Sequence, residues 1–145
     1  MKFGIIKERK NPPDRRVVFS PNKLAQLKSE FSEAEVVVEH SDIRIFNNEE
    51  YQNKNIEVTK DVSNCDVLLG VKEVPIDALI ANKKYFFFSH TIKKQPYNRK
   101  LLKAVLDKNI ELYDHETIVK ANGARLIGLA DMQVLLGHIM VLEPL

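Results

Sequence analysis

Two short runs constrain this chain more than anything else in it. Val67-Leu68-Leu69-Gly70 and Tyr85-Phe86-Phe87-Phe88 are apolar or aromatic throughout, and each runs directly into polar residues. Runs this short and this uniform suit strands buried on both faces, as in a parallel sheet covered by helices. In such sheets ligands bind beyond the carboxyl ends of the strands. The segments that follow, Val71-Lys72-Glu73-Val74-Pro75 and Ser89-His90-Thr91, read as loops. They would deliver one lysine and one histidine to the same rim.

The remaining elements fit that scheme. Lys2–Ile6, Glu35–Glu39, Ile56–Val58, Ile110–Tyr113 and Arg125–Leu129 read as further strands. Ser20-Pro21 is a helix start, with serine as cap and proline at the first position, and Leu24, Leu27 and Phe31 fall on its inner face. Asn47 caps a short turn through Gln52, and Ile76–Ile80 forms another after Pro75. Pro96 opens a helix with an apolar stripe of Leu101, Leu102, Val105 and Leu106, and Lys100, Lys103 and Lys108 on its solvated side. His115–Val119 is a helical turn and Asn122-Gly123 a tight turn. Strands alternating with helical segments predict an α/β fold: a Rossmann-like or flavodoxin-like, mainly parallel sheet in three α/β/α layers.

Composition narrows the partners. The 145 residues allow one ordinary domain, with 44% hydrophobic and 29% charged residues. A net charge of +2, with scattered lysines, gives no footprint for nucleic acid. No apolar segment approaches the roughly 20 residues that span a bilayer. One cysteine, Cys65, excludes an internal disulfide and a cysteine-rich zinc site, so a cytoplasmic location is expected. No HxxxH or CxxC spacing suggests a metal.

Several polar residues have two readings. Lys72, past a buried strand, could be a partly desolvated base or a surface lysine paired with Glu73. His90 could be a general acid or a histidine hydrogen-bonded at a strand end. Arg15 and Arg16 could grip a carboxylate with a bidentate fork or form a solvated basic loop. Arg125 could point either way. Glu116 could orient a catalytic cation, or belong with Asp114 and His115 to a helix cap. His40 and His138 read as structural, and Cys65 as packing at a strand entrance. There is no Gly-x-Gly-x-x-Gly and no P-loop among five glycines. A dinucleotide would have to be held mainly elsewhere.

Four ordered segments carry a resemblance. Lys7-Glu8-Arg9-Lys10-Asn11-Pro12-Pro13-Asp14-Arg15-Arg16-Val17-Val18-Phe19-Ser20-Pro21 resembles the opening of the alanine dehydrogenase and pyridine nucleotide transhydrogenase N-terminal domain. Gly70-Val71-Lys72-Glu73-Val74-Pro75 resembles that superfamily's Gly-x-Lys-Glu-x-Pro segment. Phe87-Phe88-Ser89-His90-Thr91-Ile92-Lys93-Lys94-Gln95 resembles the lysine–ketoglutarate reductase and saccharopine dehydrogenase branch. So does the fourth, Tyr113-Asp114-His115-Glu116 followed by Gly123-Ala124-Arg125-Leu126-Ile127-Gly128. The likeness implies a domain of an enzyme that joins lysine and 2-oxoglutarate through an imine to give saccharopine, or reverses this, with NAD or NADP. It implies Lys72 as base and His90 as acid, with Glu73 and Glu116 as tuning neighbours. It implies Arg16, Lys93 and Arg125 as grips for substrate carboxylates.

The chain departs from that family after residue 130. Residues 1–130 match a substrate domain, and residues 131–145 read as an apolar helix, a truncated crossover with no nucleotide-binding domain after it. The expectation is a domain inactive unless a nucleotide-binding domain is supplied in cis or in trans. The apolar helix would fold back or pair with another copy, making a homo-oligomer. Two alternatives stand beside this: a stand-alone keto-acid or amino-acid binding module, and an alanine dehydrogenase-like substrate domain, which Ser89-His90-Thr91-Ile92-Lys93 disfavours.

Overall fold

A computed structural model describes residues 1–127. Six strands form one sheet: β1 (Lys2–Ile5), β2 (Glu35–Glu39), β3 (Glu57–Thr59), β4 (Val67–Lys72), β5 (Lys84–Phe88) and β6 (Glu111–Asp114). Their order is β3-β2-β1-β4-β5-β6, and every pairing is parallel. This is the Rossmann order, with the reversal between β1 and β4. Sequence patterning alone could not separate it from the flavodoxin-like order.

Neighbouring residues along the strands enter different cores, as the two-residue strand period requires. Ile6, Val37 and Leu68 pack with Leu101, Ala104 and Val105 of helix α3 (Arg99–Asp107). Ile5 and Val38 pack instead with Leu24 of helix α1 (Pro21–Glu30) and Tyr51 of helix α2 (Asn48–Gln52). The sheet is therefore covered on both faces. The caps follow local chemistry: the Ser20 side chain accepts from the Lys23 amide, and Asn47 and Glu50 form a reciprocal capping box.

Several expected details are corrected. On α3 the buried positions are Leu101, Ala104 and Val105, while Leu102 and Leu106 are exposed. A 3₁₀ turn at Pro96–Asn98 precedes the helix, whose buried residues follow the i, i+3, i+4 spacing of one face, and Leu102 and Leu106 lie to one side of it. Lys108 is not on the solvated side; its ammonium donates to the Leu79 carbonyl at 2.8 Å. Phe31 ends α1 as its C-cap and is exposed rather than buried. Ile76–Ala78 is a 3₁₀ turn, one residue pair shorter than Ile76–Ile80. Arg125 makes an isolated antiparallel bridge to Val119 and does not begin a sheet strand within the described residues. The apolar segment 131–145, and His138 in it, lie outside the described residues.

The correction that matters for the site concerns β4. Lys72 is not in a loop; it is the last residue of the strand. Regular pairing sets Leu69 opposite Phe86, yet Lys72 stands opposite Phe88, so β4 carries one extra residue between them. Unshifted alternation would put Lys72 on the face of Leu68. The bulge re-registers it beside Phe88, two positions before His90.

Candidate functional site

Four separated segments share one apolar floor. Val18, Val71, Phe88 and Ile127 form a single buried cluster, with Ile118 packed against it. Each lies within two residues of a side chain singled out from the sequence: Arg16, Lys72, His90, Arg125 and Glu116. The floor is what gathers these polar groups at the carboxyl edge of β4, β5 and β6.

The polar groups divide into two clusters. The first holds Arg16, Lys72 and Glu73. Arg16 is paired with Asp14: Nε donates to Oδ1 at 2.9 Å and Nη2 to Oδ2 at 2.5 Å. The remaining Nη1 makes no hydrogen bond among the described residues. Burial would raise the Asp14 carboxyl, but the bonds from Arg16 hold it below the usual carboxylate value. Glu73 does not pair with Lys72. Its Oε1 takes the Lys10 ammonium at 2.7 Å, and its Oε2 is a buried acceptor without a partner among the described residues. Burial would raise Glu73, and Lys10 brings it below the ordinary value. The Lys72 ammonium makes no hydrogen bond or ion pair among the described residues. Burial lowers its pKa, and the nearby cations Arg16 and Lys10 lower it further. A lysine lowered in this way gives up its proton more readily than one in water.

The second cluster centres on Glu116, whose side chain is 9% exposed. Its Oε2 meets His90 Nδ1 at 3.0 Å; its Oε1 meets Lys93 Nζ at 3.3 Å and Arg125 Nη2 at 3.0 Å. The hydrogen bond to His90, followed by that to Lys93, holds the Glu116 carboxyl below its usual range despite opposing burial. His90 sits in the left-handed region, with φ +56°. That conformation is uncommon for a residue with a β-carbon and persists only where its surroundings hold it. Here the Asn98 side chain donates to the His90 carbonyl at 3.0 Å. Buried Ser89 donates to Asp114 at 2.5 Å, and Asp114 also accepts from the Glu116 amide at 2.9 Å. The Ser89–Asp114 bond thus ties the end of β5 to the end of β6 and sets His90 against Glu116. In a His90→Ala protein, the Glu116 carboxyl titration followed by ¹³C NMR should move up towards the ordinary value. An unmoved midpoint would mean that His90 does not tune it.

Lys72 and His90 share no hydrogen bond. They stand on neighbouring strand ends above the same floor, each inside its own charged cluster.

Two groups escaped sequence reasoning. Glu8 is buried, and accepts from the Val71 amide at 2.7 Å and the Lys72 amide at 2.9 Å. Burial raises its pKa to about 7, against the lowering effect of those two bonds. His115 is also buried; its Nε2 lies 3.1 Å from the Gly70 carbonyl and its Nδ1 has no partner among the described residues. Burial lowers its pKa, so the ring is neutral and Nε2–H is the donor. Nothing in the charged run Lys7-Glu8-Arg9-Lys10 marks one of its four residues for burial.

A dinucleotide on a sheet of this order would cross the β1/β4 crevice. Its pyrophosphate would rest on a glycine-rich first turn and its ribose on an acid after β2. Here the first turn is Lys7-Glu8-Arg9-Lys10, and the Glu8 carboxyl bridges the crevice. Glu39, at the end of β2, is already held by the Lys7 amide at 2.9 Å and by Arg9. A β-carbon on Gly70 would meet Ile6 at 2.9 Å, so that close approach serves packing. These residues do not fit a dinucleotide. Among the described residues no three His, Cys, Asp or Glu side chains gather as a metal site. No described helix is long and apolar enough to cross a membrane.

Comparison with known proteins agrees with the fold. Alpha-aminoadipic semialdehyde synthase of Arabidopsis thaliana is 34% identical over 128 residues, covering 86% of this chain and 12% of the plant protein. The Mus musculus protein, named as mitochondrial, is 31% identical over 141 residues, covering 97% of this chain and 15% of its own length. The chain thus spans a small fraction of the curated relatives it matches. A transhydrogenase structure from Sinorhizobium meliloti superposes with a TM-score of 0.67 at 19% identity, covering 83% of this chain and 36% of that one. An L-alanine dehydrogenase gives 0.68 at 19% identity, covering 86% and 35%. At that identity the likeness is one of fold. The sequence model for "Alanine dehydrogenase/PNT, N-terminal domain" matches residues 4–135, and the chain belongs to that family.

Proposed function

We propose that this domain is the substrate-binding and proton-handling part of an oxidoreductase that forms or cleaves saccharopine. The observation that carries this reading is the convergence of four motif segments on the floor of Val18, Val71, Phe88 and Ile127. In support of it, the cation Arg16 stands near Lys72, and the cations Lys93 and Arg125 share Glu116 with His90. Several cations suit a substrate with several carboxylates. The curated relatives' name points the same way. α-Aminoadipic semialdehyde is lysine with its ε-amine exchanged for an aldehyde, which is what oxidation of a lysine–keto-acid adduct on the lysine side releases.

In this reading Arg16 offers its free Nη1 edge to a substrate carboxylate, while Asp14 fixes the other edge. Lys72, with its depressed pKa, takes the proton from the substrate amine as it attacks the 2-oxoglutarate ketone. His90 supplies a proton to the hydroxyl that leaves as water when the imine forms, and Glu116 orients its ring. NAD or NADP would be carried by a nucleotide-binding domain in cis or in trans, since these residues do not fit it.

Calorimetry on the 145-residue chain tests the substrate assignment. We expect 2-oxoglutarate and saccharopine to bind. Arg16→Ala should weaken binding about 10- to 100-fold, the worth of a charge-assisted hydrogen-bond set of roughly 1.5–3 kcal/mol. Absence of binding by both compounds would sink the reading. Binding untouched by Arg16→Ala would remove Arg16 from it. Turnover of lysine, 2-oxoglutarate and NADPH by this chain alone would show that no second domain is needed.

A further inference from the structure

The bulge in β4 is the feature that aims Lys72, and it falls where β4 runs past the end of β1. Up to Leu69 the ladder to β1 is intact, since the Ile6 amide donates to the Leu69 carbonyl at 2.9 Å. Beyond it, one backbone group on each of three consecutive residues is met by a side chain. The Gly70 carbonyl accepts from His115 at 3.1 Å. The Val71 and Lys72 amides donate to the two Glu8 oxygens at 2.7 and 2.9 Å. Glu8 comes from the segment after β1 and His115 from the turn after β6, so the clamp reaches β4 from both flanks of the sheet order. Both clamp residues are buried.

We propose that Glu8 and His115 are positioning residues, which hold the β4 bulge through its orphaned backbone groups and so set the place and burial of Lys72. The role assigned to Lys72 rests on the function proposed above; the clamp does not. Their part is to hold backbone, not to touch substrate. The clamp has a defined protonation requirement. Two amides can be satisfied together only by a carboxylate with both oxygens free to accept, and the Gly70 carbonyl only by a protonated Nε2. The groups facing Glu8 are Asp14 and Arg16 from its own loop, and Lys72 through its backbone from β4. Those facing His115 are Asp114, its chain neighbour, and the rings of Phe86 and Phe88. Protonation of Glu8 turns one of its oxygens into a donor aimed at an N–H, and the clamp loosens.

The test needs no substrate and no second domain. In the wild-type chain, the Val71 and Lys72 amide protons should titrate together by NMR, with one midpoint near that of Glu8, about 7. The second measurement follows Lys72 itself, by reductive ¹³C-methylation and titration of its amine. Its midpoint should lie below the ordinary lysine value in wild type. It should move up in Glu8→Gln and in His115→Phe, which free the bulge and expose the amine. His115→Gln, which keeps an N–H donor at nearly the same reach, should restore it. Separate or absent amide titrations in the wild type would overturn the clamp, even if no variant folds. A Lys72 midpoint unchanged in both Glu8→Gln and His115→Phe would overturn its effect on Lys72. If the amides titrate as expected but neither 2-oxoglutarate nor saccharopine binds, the functional reading fails and the clamp stands.

Discussion

Phe88→Ala should destabilise the domain by about 3–5 kcal/mol, the range for removing a buried phenylalanine. Phe88 is 2% exposed and lies at the centre of the floor with Val18, Val71 and Ile127. It also meets the His115 ring edge-on, with centroids 5.2 Å apart, and the His90 ring at 6.2 Å. Phe87→Ala supplies the comparison. Phe87 is fully buried in the other core, with Leu68 and the α3 residues. Both variants should lose similar stability in urea denaturation. Only Phe88→Ala should also shift the imidazole resonances of His90 and His115 and weaken ligand binding. A loss below about 1 kcal/mol for Phe88→Ala, outside the usual range for such a truncation, would mean that the floor does not carry the rim.

The second large effect is a stability that falls as the solution becomes less acidic. In the folded protein Glu8 keeps its proton up to about 7, whereas an ordinary glutamate releases it near 4.5. Between those values the folded state binds more protons than the unfolded chain, so stability falls with rising pH. The total from this group is about 3 kcal/mol, given 1.36 kcal/mol for each pH unit of difference. Below the lower value both states are protonated and the loss is absent. Above the upper value both are ionised and the loss is complete. Glu8→Gln removes this titration but leaves one of the two amides unsatisfied. Its stability relative to wild type should therefore climb by about 3 kcal/mol from pH 4.5 to 7, whatever the offset. His115 titrates in the opposite sense in both proteins and cancels in the difference. A difference independent of pH would make Glu8 an ordinary carboxylate.

How much could be read in advance depended on how local the cause was. Ser20 and Asn47 cap their helices through contacts three residues away, and both appear as expected; Glu50 adds a second bond by accepting from the Asn47 amide. The uniform runs at β4 and β5 announced a doubly covered sheet because their chemistry leaves no solvated face. On α3 the apolar residues Leu101, Leu102, Val105 and Leu106 spread wider than the face that meets the sheet, which takes Leu101, Ala104 and Val105. The pairing of Glu73 with Lys72 was the natural guess for adjacent residues, yet neighbours in an extended chain point apart. Glu73 instead meets Lys10, 63 positions away.

The sequence by itself determined the alternation of buried strands and helices, and with it the edge at which polar residues collect. Through the family resemblance it also offered Arg16, Lys72, Glu73, His90, Lys93, Glu116 and Arg125 as candidates for the rim. Only the tertiary structure decided their grouping, with Asp14 on one edge of Arg16 and Glu116 shared by His90, Lys93 and Arg125. It alone decided that β4 gains a residue before Lys72, and that Glu8 and His115 hold the bulge across 64 and 45 positions of sequence. The physical reason is that strand propensity and capping act within a few residues. Burial of a charge, and the shift it imposes, depend on which distant strand end comes to lie beside it.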